Sequence, residues 1–394
     1  MKILVANLGS TSLKYRLFDF GEGEEALVTR GGFERVEDYR EAVDACLREL
    51  KEGGFIASED DLAAVGFKTV LADGVTGCVR LDQRVLEAME VGNTVAPAHN
   101  PAYLMGVRVF SERMPRTPLI GLFETAFYQW IPETAKRYAV PAPWFEAGVR
   151  RWGFHGASHK FIAERSAELM GREDVAQRVR QLYVDGGAGQ IEGSDLRVIS
   201  CHLGGSSSVT GIRNGVAIGN SMGMSPQSGL PNNNRVGDVD GFALLHMMRT
   251  KGYGPDEIER QLCRDAGLKG LSGGFNDLRD IQAQAATGNE GAQLALDFLI
   301  DETRRWLGAY LVPLNGLDAL VFTAGIGENR SEIRAGICAE LDGLGIRLDP
   351  AKNEAVRAEE AEISAADSKT KIFVIPTNEE LVVGREVKRF LENN

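Results

Sequence analysis

The chain has 394 residues, with 44 Lys and Arg against 56 Asp and Glu, for a formal net charge of −12. That length exceeds one ordinary compact domain and predicts two or three. A hydrophobic fraction of 43% and a charged fraction of 25% exclude extensive disorder, and the acidic balance argues against a nucleic-acid partner. No apolar run reaches the length that crosses a bilayer, and Met1–Ala6 is too short for a signal peptide. The five cysteines (Cys46, Cys78, Cys201, Cys263 and Cys338) are scattered and never spaced Cys-x-x-Cys. They predict reduced thiols in the cytoplasm and no zinc site.

In chain order, three short apolar runs each lead into a turn rich in glycine and hydroxyl side chains. Ile3–Ala6 precedes Asn7-Leu8-Gly9-Ser10-Thr11-Ser12, and the alternation of Leu13–Phe18 then predicts a second strand. Ser158 is expected to cap a helix through Met170, ended by Gly171, and Gly186–Gly193 reads as an exposed loop. Val198–Cys201 precedes His202-Leu203-Gly204-Gly205-Ser206-Ser207-Ser208. Val209–Arg213 is again strand-like, with a further turn at Asn214-Gly215. A helix is predicted from about Ala292 to Leu311, stopped by Pro313. Leu320–Thr323 precedes Ala324-Gly325-Ile326-Gly327-Glu328-Asn329, and the stripe Ile333, Ile337, Leu341 makes this unit strand–turn–helix. Thr377-x-x-Glu380 has the pattern of a capping box for a C-terminal helix. Pro141–Trp152 is a candidate domain junction. The matching first two hairpins, half a chain apart, suggest an internal duplication into two α/β halves.

Turns of this kind expose backbone N–H groups with little side-chain bulk and suit phosphate oxygens. A single glycine turn would mean little, but three of similar kind point to a nucleotide cleft between two halves. Other phosphate motifs are absent. There is no Gly-Lys dipeptide for a P-loop, the spacing after Gly325-Ile326-Gly327 fails the dinucleotide fingerprint, and no His-Arg-Asp loop occurs.

Asn7-x-Gly9-Ser10-Thr11-Ser12-x-Lys14, Gly153-Phe154-His155-Gly156-x-Ser158-His159, His202-Leu203-Gly204, Ser221-Met222-Gly223, Arg235-x-Gly237-Asp238, Phe322–Asn329 and Pro376–Leu381, taken together and in this order, resemble the acetate kinase family. The resemblance covers essentially the whole chain. It implies two related ribonuclease-H-like domains of the actin-type ATPase class facing a central nucleotide cleft, a homodimer, and a reaction in which ATP phosphorylates a small carboxylate with Mg²⁺ present. The expected division is residues 1–146 plus the C-terminal helix 380–394 as the acceptor and phosphate domain, with 147–379 as the nucleotide domain. Neither a nucleic acid nor a membrane is expected as partner.

Residue by residue, the resemblance makes Arg235 and His155 the groups on the transferring phosphoryl oxygens. It makes Asn7 and Glu379 the holders of Mg²⁺, whose preference is for hard oxygen ligands and retained waters. Lys14, Ser10, Ser12 and the segment His202, Leu203, Gly204, Gly205, Ser206 match phosphate-binding positions. Asp277, Leu278, Arg279 and Gly325, Ile326, Gly327, Glu328, Asn329 match adenosine-binding positions. Lys68, Val70, Ala98, His99, Phe154 and Pro226 fall to the acceptor pocket. Glu124 stands where the family has Asp; a carboxylate acceptor has no proton to lose, so orienting Arg235 is the expected role. Blander readings accompany several of these: a salt bridge from Arg235 to Asp238 or Asp240, a core histidine at 155, a turn residue at Asn7, a helix-dipole acid at Glu379, and a solvated strand face at Lys14.

The departures gather on the acceptor side. Lys68 replaces the family arginine and loses its planar fork. Ala98 replaces a larger apolar residue, and Glu124 is one methylene longer than Asp. The alternatives to acetate are therefore a longer carboxylate, another acceptor on the same fold, or a non-catalytic ATP-binding module.

Overall fold

The computed structural model describes residues 1–9, 11–21, 25–97 and 100–394. Two six-stranded mixed sheets organise the chain. The first contains β1 (Lys2–Gly9), β2 (Ser12–Phe20), β3 (Glu25–Glu34), β4 (Leu62–Thr69), β5 (Cys78–Arg80) and β6 (Leu119–Phe123), in the order β3-β2-β1-β4-β6-β5. The second contains β7 (Arg197–His202), β8 (Ser208–Arg213), β9 (Val216–Asn220), β10 (Ala319–Thr323), β11 (Ala361–Glu362) and β12 (Lys371–Val374). Taken from its β9 edge, its order is β9-β8-β7-β10-β12-β11.

The two orders are the same. Each sheet starts with a three-stranded antiparallel meander, continues with two strands parallel to the first, and ends on an antiparallel edge strand. The short likeness between the two hairpin turns is thus matched by a whole repeated topology. The Asn214-Gly215 turn joins β8 to β9 with φ of 50° and 78°, the left-handed pair that a tight hairpin turn requires.

Central strands of such a mixed sheet are covered on both faces and read as unbroken apolar runs. In β1, Leu4, Ala6 and Leu8 pack into a core with Tyr39, Val43, Leu47, Val107 and Phe110. Ile3 and Val5 face the opposite way and pack with Val382, Val383 and Val387 of the helix Glu379–Asn393. The end of the chain therefore closes one face of the sheet that its beginning builds. Gly66 on β4 permits this approach, since a Cβ there would lie 3.0 Å from both Val383 and Val387.

Several boundaries differ from expectation. The helix after Phe154 runs Gly156–Leu169, starts from His155 at φ 60°, and has no side-chain cap. Ser158 lies inside it because its hydroxyl is committed to His202 Nδ1, at 2.8 Å. The long helix is Glu290–Leu314, capped by Asn289 and carrying Pro313 in its last turn. Burial of Leu314 draws the helix one residue past the proline, and Asn315 at φ 58° ends it. The C-terminal helix is capped by Asn378, whose side chain accepts from Leu381 N. Thr377 does not cap it, and its own N–H is donated to Glu328 Oε1 at 3.2 Å. The glycine-rich segment after β10 is itself helical, over Ala324–Asn329. The following helix, Ser331–Cys338, buries Ile333 and Ile337 and stops before Leu341. Among the described residues no helix is long and apolar enough to cross a membrane.

Two buried cations fix the elements that carry the site. Arg334 is fully buried and donates to Asn353 Oδ1 and to the carbonyls of Gly327, Glu328, Asn353 and Val356. Its charge meets the carbonyl end of helix Ala324–Asn329, where the helix dipole is negative. Burial pulls its pKa down to about 10. Lys160 on helix Gly156–Leu169 meets Glu386 of the C-terminal helix at 2.8 Å, both side chains being only 1% exposed. Glu386 Oε1 also accepts from Arg389, so loss of Lys160 leaves that buried carboxylate with one cation in place of two, at about 1–3 kcal/mol. Lys160→Met is expected to lower the thermal midpoint measured by circular dichroism. An unchanged midpoint in the single variant would show that the pair contributes nothing.

Candidate active site

The carboxyl ends of β1, β4 and β6 lie side by side, the edge of a parallel sheet where ligands commonly bind. Asn7 ends β1, Lys68 lies in β4, and Glu124 follows β6. Asn7 Oδ1 accepts from Tyr103 Oη at 2.7 Å. Lys68 Nζ lies 2.8 Å from Glu379 Oε2 and 3.1 Å from Glu124 Oε1. The cation expected beside Glu124 was Arg235; the structure puts Lys68 there. An ammonium has three donors, so one is left after the two carboxylates.

Glu124 Oε2 and Glu379 Oε1 are buried and have no partner among the described residues. Burial pushes the Glu124 carboxyl above its usual range, only partly offset by Lys68. Burial acts the same way on Glu379, but Lys68 and His202 outweigh it and hold that carboxyl below its usual value. Burial opposes the charge of Lys68, yet Glu379 and Glu124 hold its pKa well above normal. The two orphaned carboxylate oxygens and the Asn7 amide oxygen are hard donors of the kind Mg²⁺ takes.

Three of the five histidines come together from the start of helix Gly156–Leu169 and the end of β7. His155 and His202 stack with ring centroids 4.0 Å apart, and His159 lies 6.0 Å from His202. Gly156 lets this cluster approach Glu124: its N–H donates to the Glu124 carbonyl at 3.0 Å, and a Cβ would lie 2.3 Å from that oxygen. Burial, then the neighbouring imidazoles, then Lys68 and Arg235 hold the His155 pKa well below normal. Burial likewise takes His202 down to about 4, with Glu379 and Lys68 as the charges within reach. Lys68 and Glu379 from one sheet's edge and the imidazoles from the other thus share one electrostatic neighbourhood.

Arg235 joins it from the loop after β9. Its Nη1 donates to the Pro226 carbonyl at 3.2 Å, and among the described residues it has no carboxylate partner. The alternative salt bridges are not made: Asp238 accepts from Gly229 N and Asp240 caps the helix starting at Gly241. Burial lowers the Arg235 pKa.

The hairpin after β7 is tied to the segment after β10. Leu203 N donates to Thr323 O, and Ile326 N and Gly327 N donate to Leu203 O. Ser207 N donates to Asn232 Oδ1 at 2.7 Å. Beside them opens a cavity of about 490 Å³ lined by Gly205, Asp277, Leu278, Arg279, Gly325 and Asn329 among others, a size suited to a nucleoside. Asp277 caps the helix Leu278–Ala286, and the Arg279 guanidinium holds its pKa down at about 2. A larger cavity, about 650 Å³, lies on the outer face around Tyr39, Leu104 and Arg108 and contains none of the predicted residues.

Val70, Phe154 and Met222 belong to one buried apolar cluster. Lys14 stands opposite Asn7 on β2 but is exposed and pairs with Glu34 at 3.1 Å. Ser12 opens β2. Ser10, Ala98 and His99 lie outside the described residues. Sequence reasoning missed Tyr103, Asn232 and Arg334, which follow no local motif. It quoted His159 and Ser208 within motifs without giving them work.

Comparison with known proteins settles what this arrangement belongs to. A family model described as the Acetokinase family matches residues 31–385. The chain belongs to the acetokinase family. It is 38% identical to an acetate kinase of Clostridium botulinum (strain 657 / Type Ba4), over 98% of this chain and 99% of that one. Against an acetate kinase of Carboxydothermus hydrogenoformans identity is 35%, with 100% of both covered. The crystal structure of Porphyromonas gingivalis acetate kinase matches with a TM-score of 0.85 at 32% identity, covering 99% of each chain. A propionate kinase from Francisella tularensis matches with a TM-score of 0.84 at 29% identity, covering 98% of each. The fold is the two-domain, actin-like ATPase fold. The chain is an ATP-dependent carboxylate kinase, a phosphotransferase with a carboxyl group as acceptor, of the family that converts acetate to acetyl phosphate.

The neutral burial of the imidazoles has a pH signature. A histidine whose folded pKa lies below its unfolded value of about 6.5 binds its proton more readily when unfolded. Stability is therefore full above pH 6.5 and is lost as pH falls toward 4. Unfolded carboxylates titrate near pH 4; across the interval from pH 6.5 to 5 the three histidines act together, opposed by Glu124, whose carboxyl is raised in the fold. The urea midpoint is expected to fall measurably across that interval; a flat profile would contradict neutral burial.

Proposed function

We propose that the cleft carries out direct in-line transfer from ATP to a small carboxylate, with Arg235 and His155 on the migrating phosphoryl group. The carrying observation is Arg235, a half-buried guanidinium that has no carboxylate partner among the described residues, beside an imidazole kept neutral. Desolvated cations left unpaired are costly unless an anion arrives. In the transfer, an acceptor carboxylate oxygen forms a bond to the γ-phosphorus while the bond to the β-phosphate oxygen breaks. No proton leaves the acceptor, so no general base is needed. Arg235 neutralises charge on the equatorial oxygens, and His155 donates one hydrogen bond. Lys68, with one donor to spare, meets the acceptor carboxylate, while Glu124 and Glu379 hold it in place. Asn7 and Glu379 would hold Mg²⁺, which supplies charge neutralisation on the phosphates. The hairpin His202–Ser206 and the segment Gly325–Asn329 line the phosphate tail, with Asp277–Arg279 toward the adenosine.

The division into 1–146 with 380–394 and 147–379 is supported by the packing of the C-terminal helix on the first sheet. Homodimerisation is supported by the helix Gly241–Lys251, which buries none of its residues and leaves Phe242 75% exposed, an apolar face that wants a partner. Five free thiols agree with a reducing cytoplasm.

Acetate is the first acceptor. A longer acid is the second reading, favoured by Ala98 in the sequence and by Lys68 in place of a planar fork. Arg235→Ala is expected to lower kcat by about 100-fold or more with far less change in ATP affinity, read by trapping acyl phosphate with hydroxylamine. Comparable losses in both would remove the assigned role. The same assay across formate, acetate, propionate and butyrate decides the acceptor. The second reading expects propionate to at least equal acetate in kcat/KM; acetate ahead by about tenfold, the usual worth of one methylene, would end it.

A further inference from the structure

His155 is held by a line of side chains that the reaction scheme leaves unused. Its Nδ1 lies 2.8 Å from Ser208 Oγ. The same oxygen lies 2.8 Å from His159 Nε2. His159 Nδ1 in turn lies 2.8 Å from Ser200 Oγ. His159, Ser200 and Ser208 are all 0% exposed. The line therefore runs Ser200, His159, Ser208, His155, and its last member is the only one facing the cleft.

Proton counting gives the line a direction. A serine hydroxyl carries one hydrogen, and a neutral imidazole has one donor and one acceptor nitrogen. Ser208 stands between two ring nitrogens, so it donates to one and accepts from the other. Two consistent arrangements exist, running in opposite senses. In the first, Ser200 donates to His159 Nδ1, His159 Nε2–H donates to Ser208, and Ser208 donates to His155 Nδ1. In the reverse, His155 Nδ1–H donates to Ser208, Ser208 donates to His159 Nε2, and His159 Nδ1–H donates to Ser200. The reverse leaves the Ser200 hydroxyl hydrogen without an acceptor, because among the described residues Ser200 Oγ has no partner other than His159. A buried donor without an acceptor is penalised, while an unused serine lone pair costs much less.

We propose that Ser208 and His159, anchored by Ser200, are positioning residues that lock His155 in the tautomer with Nδ1 bare and Nε2 protonated, so that it presents a fixed N–H to the phosphoryl oxygens. The free ring nitrogen fits this assignment: His155 Nε2 makes no hydrogen bond among the described residues and is not among the sealed, unpartnered polar atoms. The neighbouring ring follows the same rule. His202 Nδ1 lies 2.8 Å from the buried Ser158 hydroxyl, whose donation leaves His202 Nε2–H as a second donor stacked beside the first. Burial and the adjacent imidazole also keep His159 neutral, as the line requires. Ser208 opens β8 directly opposite His202, so the residue that sets the tautomer is continuous with the phosphate hairpin.

The inference rests on the reading of His155 as the phosphoryl-oxygen donor, and the test keeps the two apart. The full-length protein is labelled with ¹⁵N histidine, and long-range ¹H–¹⁵N spectra, assigned with His155→Gln, read which nitrogen is protonated. Wild type is expected to show His155 protonated on Nε2 alone. Ser208→Ala is expected to mix the tautomers and to lower kcat by about tenfold or more while the KM for ATP stays within about twofold. Ser208→Thr, which keeps the hydroxyl, is expected to keep both the spectrum and the rate. The proposal is overturned by Nδ1 protonation in wild type, by wild-type kcat in Ser208→Ala, or by a Ser208→Thr protein that melts like wild type but turns over like Ser208→Ala. If His155→Gln itself turned over normally, the donor role of His155 would fail, while the wild-type spectrum would still decide the tautomer.

Discussion

One buried ammonium holds the reacting end of the molecule together. Lys68 Nζ touches Glu124 at the end of β6 and Glu379 at the start of the C-terminal helix, so a single charge joins a central strand, its neighbour and the last element of the chain. Its cost is desolvation, and two carboxylates offset it. What remains, a lone oxygen on each carboxylate and one unused donor on the lysine, is the polar capacity with which the cleft meets a divalent cation and an anionic acceptor.

The opposite wall solves a different electrostatic problem. A polyphosphate tail brings several negative charges, and a wall of fixed cations would bind it before and after transfer alike. Uniform binding of that kind does not lower the barrier. That wall instead offers neutral imidazoles, backbone N–H groups and one guanidinium resting on a carbonyl. Donors of this sort gain most where charge develops, in a dry site and in fixed orientation.

Much of this was legible in the sequence. The three apolar runs with their glycine turns, the duplicated hairpins and the motifs around His155, Arg235 and Glu379 lie in continuous stretches whose local chemistry is self-contained. The likeness of the halves extends further than two turns suggest, because strand order is set by which apolar faces must be covered, and that does not require matching residues. Contacts that depend on the assembled fold stayed hidden. Nothing near residue 124 announces that its cation comes from residue 68, and nothing near residue 103 announces a bond to Asn7. The helix ends were misjudged for the same reason. Ser158 looks like a cap until a histidine from another element claims its hydroxyl, and Pro313 looks like a stop until the burial of Leu314 outweighs one missing N–H.

The embrace of the first sheet by residues 379–393 also orders events during synthesis. While the ribosome is still making the second half, Ile3, Val5, Phe18 and Ile120 present a greasy, uncovered face to solvent. Only when the final helix clears the exit tunnel can that face be sealed and Glu379 reach Lys68. A nascent chain released early would therefore carry both an exposed sticky surface and an unfinished catalytic pocket, the combination by which quality-control machinery separates incomplete products from finished enzyme.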